Sequence, residues 1–149
     1  MSLAQVRIVR RLVEECWSGG NLDAVEELFA PDCVTHTMFR EHPILHGRDE
    51  QRQAIRSLHA TFADLAFTVE DCLAGSTETG EAQVVCRWSA SGTHTRSYLN
   101  VPPTGRRVTW AGATVYRFQG DRIAEDWWYL DRYLIFQQLV DHAAAQANA

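Results

Sequence analysis

Four long runs from residue 65 onward, Leu65 to Ala74, Glu81 to Thr95, Arg106 to Phe118 and Arg122 to Tyr129, alternate apolar with polar side chains and have no helical spacing between them. Alternation with a period of two over such lengths is what a sheet with one buried face requires. The last two runs are separated by Gly120-Asp121, a two-residue hairpin turn. Helical spacing precedes and follows this block. Val6, Val9, Leu12, Val13, Cys16 and Trp17 predict an amphipathic helix stopped by Ser18-Gly19-Gly20. Leu22, Val25, Leu28 and Phe29 predict a second, capped by Asn21 and ended by Pro31. A strand from Cys33 to Phe39 follows. Gly47-Arg48-Asp49 then opens a third helix with Ile55, Leu58, His59 and Phe62 inward, and a last helix runs from about Asp131 to Ala143. Helices followed by successive antiparallel strands define an α+β fold, because a doubly wound parallel sheet needs an alternating βαβ order. The 149 residues are expected to form one domain, fraying from 143 onward.

Charge and cysteine usage narrow the function classes. A formal net charge of −5, with the arginines dispersed, predicts no nucleic-acid partner, since such partners are held by basic faces that displace counterions. The four cysteines lie far apart with no C-x-x-C pair, so neither a zinc site nor a redox motif is predicted, and no metal is expected. No apolar run approaches the length of a membrane span and none resembles a leader, which predicts a cytoplasmic protein with no membrane partner. Five tryptophans and six phenylalanines exceed what a core of this size needs, so part of the aromatic surface is expected to line a cavity.

Strand alternation places that cavity. With Gly120-Asp121 as the turn, Gln119 faces Arg122, and the register puts Trp110, Thr114, Tyr116 and Phe118 on one face with Ile123, Glu125, Trp127, Tyr129 and Asp131. This is the expected buried face. Asp126, Trp128 and Leu130 then fall outside, an apolar patch that predicts a homodimer or tetramer. The same period along the second run aligns Val84, Cys86, Trp88, Ala90, Gly92 and His94, and in the first strand it sets Val34 beside an inward His36. Two histidines and two carboxylates are thus expected in one aromatic chamber. Burial between Ile123 and Trp127 would raise the pKa of Glu125. Asp131 has two readings, a catalytic acid/base or the N-cap of the last helix.

Three segments, Gly92-Thr93-His94-Thr95, Val101-Pro102-Pro103-Thr104-Gly105-Arg106-Arg107-Val108 and Arg122-Ile123-Ala124-Glu125-Asp126-Trp127 with Asp131, resemble the SnoaL-like polyketide and ester cyclases in order and spacing. Phe29 to His36 resembles that group's early strand and Gln137-Gln138-Leu139 its closing helix, so the resemblance covers nearly the whole chain. It implies a cone: a curved antiparallel sheet wrapped around helices, as in nuclear transport factor 2 and ketosteroid isomerase. It also implies a small hydrophobic or aromatic ligand and ring closure by intramolecular aldol condensation, with an aspartate as acid/base and no metal or cofactor. Many relatives carry that aspartate just after the Trp127 match, where this chain has Trp128. The acid/base therefore falls to Asp131 or Asp126, with Glu125 third. His94 and His36 are the polarising or proton-relay groups, and Trp88, Trp110, Thr114, Tyr116, Trp127 and Tyr129 the walls for substrate. Epoxide opening, and ligand binding without turnover, are the alternatives on the same fold.

Overall fold

The structure is a computed structural model that describes residues 3–147, and side chains as far as residue 141. Its first helix, α1 (Leu3–Arg11), widens into a π-helical segment, Leu12–Ser18, and buries Val9, Leu12, Val13 and Cys16. Helix α2 (Val25–Leu28) is a single turn, shorter than predicted, and strand β1 (Phe29–His36) begins four residues early. Asn21 caps no helix: its side-chain oxygen accepts the Asp23 N–H at 3.1 Å in a local turn. Pro31 does not follow a helix but sits in β1, where the pairing with the neighbouring strand shifts between Phe29 and Val34, and so takes no ladder bond from a central strand. Strand β2 (Ile44–His46) and helix α3 (Gly47–Thr61) follow. Gly47 has φ +76°, a conformation glycine adopts at no steric cost, and it turns the chain from strand into helix.

The remaining strands match the alternating runs to within a few residues: β3 (Phe62–Ser76), β4 (Ala82–His94), β5 (Arg107–Gln119) and β6 (Arg122–Leu130), closed by α4 (Arg132–Ala147). The expected end of α4 near Ala143 moves out to Ala147, and of the stretch expected to fray from 143, residues 148 and 149 lie outside the described residues. All six strands form one curved, unclosed sheet in the order β2-β1-β6-β5-β4-β3, antiparallel throughout except for β1 on β6. No helix among the described residues is long and apolar enough to cross a membrane.

The helices fill the concave side in two clusters. In one, α1, the π-helical segment and α2 pack Val9, Val13, Val25 and Leu28 against Val84, Cys86, Tyr116 and Ile123. In the other, α4 lays Ile135 and Leu139 against Phe62, Val108 and Trp110. Strand β6 ends opposite Gly112, leaving the far end of β5 without a ladder partner on that edge. Gln138 takes its place: its amide accepts the Thr109 N–H at 3.1 Å and donates to the Thr109 carbonyl at 2.8 Å.

The hairpin register corrects the predicted faces. Gln119 faces Arg122 and Phe118 faces Ile123 as expected, but then Arg117 faces Glu125 and Tyr116 faces Asp126. Ala124 is the extra residue of a β-bulge, and from there on every side chain of β6 changes face. Asp126, Trp128 and Leu130 therefore turn toward the helices, and Glu125, Trp127 and Tyr129 turn outward. The apolar outer patch expected from Trp128 and Leu130 is not formed by those residues. Trp127 and the half-exposed Tyr129 stand there instead.

Candidate functional site

Between the two clusters lies a cavity of about 280 Å³, just below the roughly 300–1,000 Å³ usual for ligand pockets. Four of the five tryptophans line it: Trp17 from the π-helical segment, Trp88 from β4, Trp110 from β5 and Trp128 from β6. Trp17 meets Trp128 edge to face at 5.4 Å, and Phe67 packs against Trp88 at 5.2 Å, so the rings brace one another as rigid walls. Thr114 and Tyr116 complete the buried floor, and the Trp88 indole donates to the Thr114 hydroxyl at 3.0 Å. Burial, reinforced by the charge of Asp126, raises the Tyr116 phenol well above its ordinary value, so it stays a protonated donor.

Of the predicted walls, Trp88, Trp110, Thr114 and Tyr116 line this chamber, whereas Trp127 and Tyr129 lie on the opposite face. His36 joins them there. Buried Cys33, Thr35 and Thr37 take the inner positions of the first strand and its continuation, which turns Val34 and His36 outward, against the prediction. The His36 ring stacks on Trp127 with centroids 5.2 Å apart and pairs with Glu125 at 2.7 Å. Arg117 donates to the other Glu125 oxygen at 3.0 Å. Partial burial pushes the Glu125 carboxyl up, but the hydrogen bonds from His36 and Arg117 outweigh it and hold the pKa below the ordinary value, the reverse of the expected shift.

Asp131 also lies outside the chamber. It is exposed, and its Oδ1 accepts the Leu134 N–H at 3.0 Å as the N-cap of α4. Asp131→Asn is therefore expected to leave the melting temperature unchanged, while Asp131→Ala costs about 1 kcal/mol in urea denaturation. A loss of the same size in both variants would contradict the cap assignment.

Asp126 is 2% exposed, behind the chamber wall. The Thr35 hydroxyl donates to one of its oxygens while receiving a hydrogen bond from Gln51 of α3, and the Trp128 indole donates to the other oxygen at 3.1 Å. Burial outweighs these bonds and pushes the carboxyl up to about 7. Trp128 lines the chamber and holds Asp126, so its ring stands between the carboxylate and the ligand space. His94 is fully buried at the end of the β4 row. Its Nδ1 accepts the Thr104 N–H at 3.1 Å, which places the ring proton on Nε2, where it has no partner. Burial lowers its pKa, keeping the ring neutral.

The rim contains residues that the sequence did not single out. Arg132, at the start of α4, lies 3.9 Å over the Phe39 ring, donates to the Tyr98 hydroxyl at 2.9 Å and pairs with Glu41. It thereby ties the segment after β1 to the β4–β5 loop across one side of the opening. His42, Ser57, Arg96 and Ser97 form the exposed remainder.

A curved, unclosed, mostly antiparallel sheet wrapped around helices, with an aromatic cavity on its inner side, defines an α+β domain of the SnoaL-like fold. The chain belongs to the SnoaL-like polyketide cyclase family, whose profile matches residues 7–139. Among solved structures it is similar to a protein designated a polyketide cyclase from Acidithiobacillus ferrooxidans (29% identity, 95% of this chain and 98% of that one, TM-score 0.80). It is also similar to IdmH of Streptomyces antibioticus, likewise designated a polyketide cyclase (29% identity, 91% and 97% covered, TM-score 0.74). A SnoaL-like protein from Jannaschia shares the fold at 21% identity, covering 91% of each chain with a TM-score of 0.78. No functionally curated protein matches the chain in sequence.

Proposed function

We propose that this chain is a cofactor-independent cyclase or isomerase that holds a small, flat, polyketide-like molecule in the aromatic chamber. The observation that carries this reading is a protonated donor in the chamber floor, Tyr116, that faces a buried carboxylate across the β5–β6 ladder, Asp126, whose pKa lies near neutrality. In an aldol closure a C–H beside a carbonyl loses its proton, and the resulting enolate carbon attacks a second carbonyl. The Tyr116 phenol is suited to donate to the enolate oxygen, since a buried donor stabilises charge that develops in a site without water. Asp126 is suited to take the proton and return it to the new alkoxide, because a group half-ionised at the working pH serves both directions. Contact between Asp126 and ligand requires the Trp128 indole to swing aside.

Family membership supports the cyclase or isomerase class and leaves the substrate open. Epoxide opening would draw on the same Asp126, to hold the attacking water, and on the same displacement of Trp128, so it is the alternative reaction on this site. A second reading, retention of the ligand without turnover, is favoured by Trp128 standing where the family resemblance places the catalytic aspartate. One experiment separates the two. Tryptophan quenching by planar aromatic ligands is measured beside turnover of 1,3-dicarbonyl aldol substrates, in the native chain and in Tyr116→Phe. The cyclase reading expects turnover that drops at least tenfold in Tyr116→Phe with ligand affinity retained. Quenching without any turnover in the native chain refutes it in favour of the binder.

A further inference from the structure

We propose that the chamber takes a flat apolar carboxylic acid, bound as its anion, with the carboxylate at the mouth against Arg96. The inference rests on the chamber being the ligand site and adds the chemical class of the ligand. The chain as a whole is acidic, with 19 Asp and Glu against 14 Lys and Arg, yet its chamber is lined by two arginines and by no described carboxylate. The two cations differ in what they have left to offer. Arg132 is already committed to Glu41, to the Tyr98 hydroxyl and to the Phe39 face. Arg96 is exposed and donates to the uncharged Ser57 hydroxyl at 3.0 Å, with no acidic partner among the described residues.

The polar groups are also sorted by depth. Buried Trp88, Trp110, Thr114 and Tyr116 make the far end, whereas exposed Ser57, Arg96 and Ser97 sit together at the opening. An anion at the far end would lose its hydration for the sake of uncharged hydroxyls. At the mouth it keeps water on one side and gains a guanidinium flanked by two serines, the geometry in which charge-assisted hydrogen bonds form. Apolar body inward and carboxylate outward is the orientation that satisfies both ends, and it directs the body of the ligand toward Tyr116.

Naphthalene-2-carboxylate and naphthalene-2-carboxamide have nearly the same shape and differ in charge, so titration calorimetry with the pair isolates the inference. At low ionic strength the carboxylate is expected to bind about fivefold more tightly, the scale of a partly exposed ion pair. The advantage should shrink within twofold in Arg96→Gln and in high salt, with the carboxamide unaffected by either. Equal affinities for the two ligands, or a gap that survives Arg96→Gln, overturn the proposal while leaving the chamber as the ligand site. Failure of both ligands to bind at millimolar concentration overturns the chamber reading and this proposal together.

Discussion

Asp126→Asn is expected to make the protein more stable at pH 8, by a margin that shrinks as the pH falls and closes only near pH 4. The carboxyl moves from an ordinary value of 3.8 in the unfolded chain to about 7 in the folded one, because burial disfavours its charged form more than Thr35 and Trp128 favour it. Between those two values the folded state binds more protons than the unfolded, so stability falls as pH rises through the interval. The difference amounts to about 4 kcal/mol once pH exceeds 7, and to a melting temperature lower by roughly 10 °C for a chain of this size. Asparagine occupies the same volume and has no charge to lose. Its amide can still accept from the Trp128 indole and donate to the Thr35 hydroxyl, which already receives a bond from Gln51. Two other perturbed groups act on both proteins alike and leave the difference between their curves untouched. Glu125, held low by His36 and Arg117, titrates in more acid solution. The lowered pKa of His94 gives a slope of opposite sign, stability lost as pH falls. Parallel melting curves for the two proteins from pH 5 to 8 would show that Asp126 is not the buried acid described. If the same variant is also devoid of turnover, the carboxylate is retained at a cost in stability, the pattern expected of a catalytic group.

What the sequence revealed, and what it hid, divides at Ala124. Strands β3 to β6 were legible because Val84-Cys86-Trp88-Ala90 and Trp110-Thr114-Tyr116 alternate strictly, and the Gly120-Asp121 turn fixes the first two pairs of the last hairpin. Beyond it, Ala124-Glu125-Asp126-Trp127-Trp128-Tyr129 has no strict alternation, and either register buries one tryptophan and one carboxylate. A bulge of one small residue leaves no compositional mark, and it moved six side chains to the opposite face. The first strand misled for a related reason. Thr35 and Thr37 are polar and inward, since they serve the Asp126 network and the rim, while His36 is outward and stacked on an aromatic ring. The family resemblance held the missing hint: an aspartate just after Trp127 in many relatives faces the ligand only if that position points inward, which puts Trp128 in the wall and Asp126 on the same side. Arg96, His42 and Arg132 reach the rim from loops and a helix start, where no periodicity operates.

The chamber also depends on the absence of a side chain at Gly112, and Gly112→Ala is expected to damage stability and binding together. Gly112 lies on the inner face of β5, where a Cβ would stand 2.6 Å from the Tyr129 carbonyl oxygen, 2.7 Å from the Trp88 ring and 3.0 Å from Leu130. Carbon atoms in contact settle at about 3.5–4.0 Å, so all three neighbours must retreat. Tyr129 answers with backbone, which the β5–β6 ladder holds in place, and Trp88 is tethered to Thr114 and packed on Phe67. Neither is the free end of a flexible side chain. Overpacking of this kind costs roughly 1–3 kcal/mol, and the backbone clash places Gly112→Ala at the upper end, a fall of about 10 °C in melting temperature. The space available to Trp88 is the cavity itself, so the variant should also lose affinity for planar ligands at temperatures where it remains folded. Gly75 in β3 supplies the control, because a Cβ there meets nothing within 4 Å and its φ is not positive. Gly75→Ala should leave both properties unchanged. If Gly112→Ala melts and binds like the native chain, then the β5–β6 spacing is wider than described and Trp88 does not form the wall beside it.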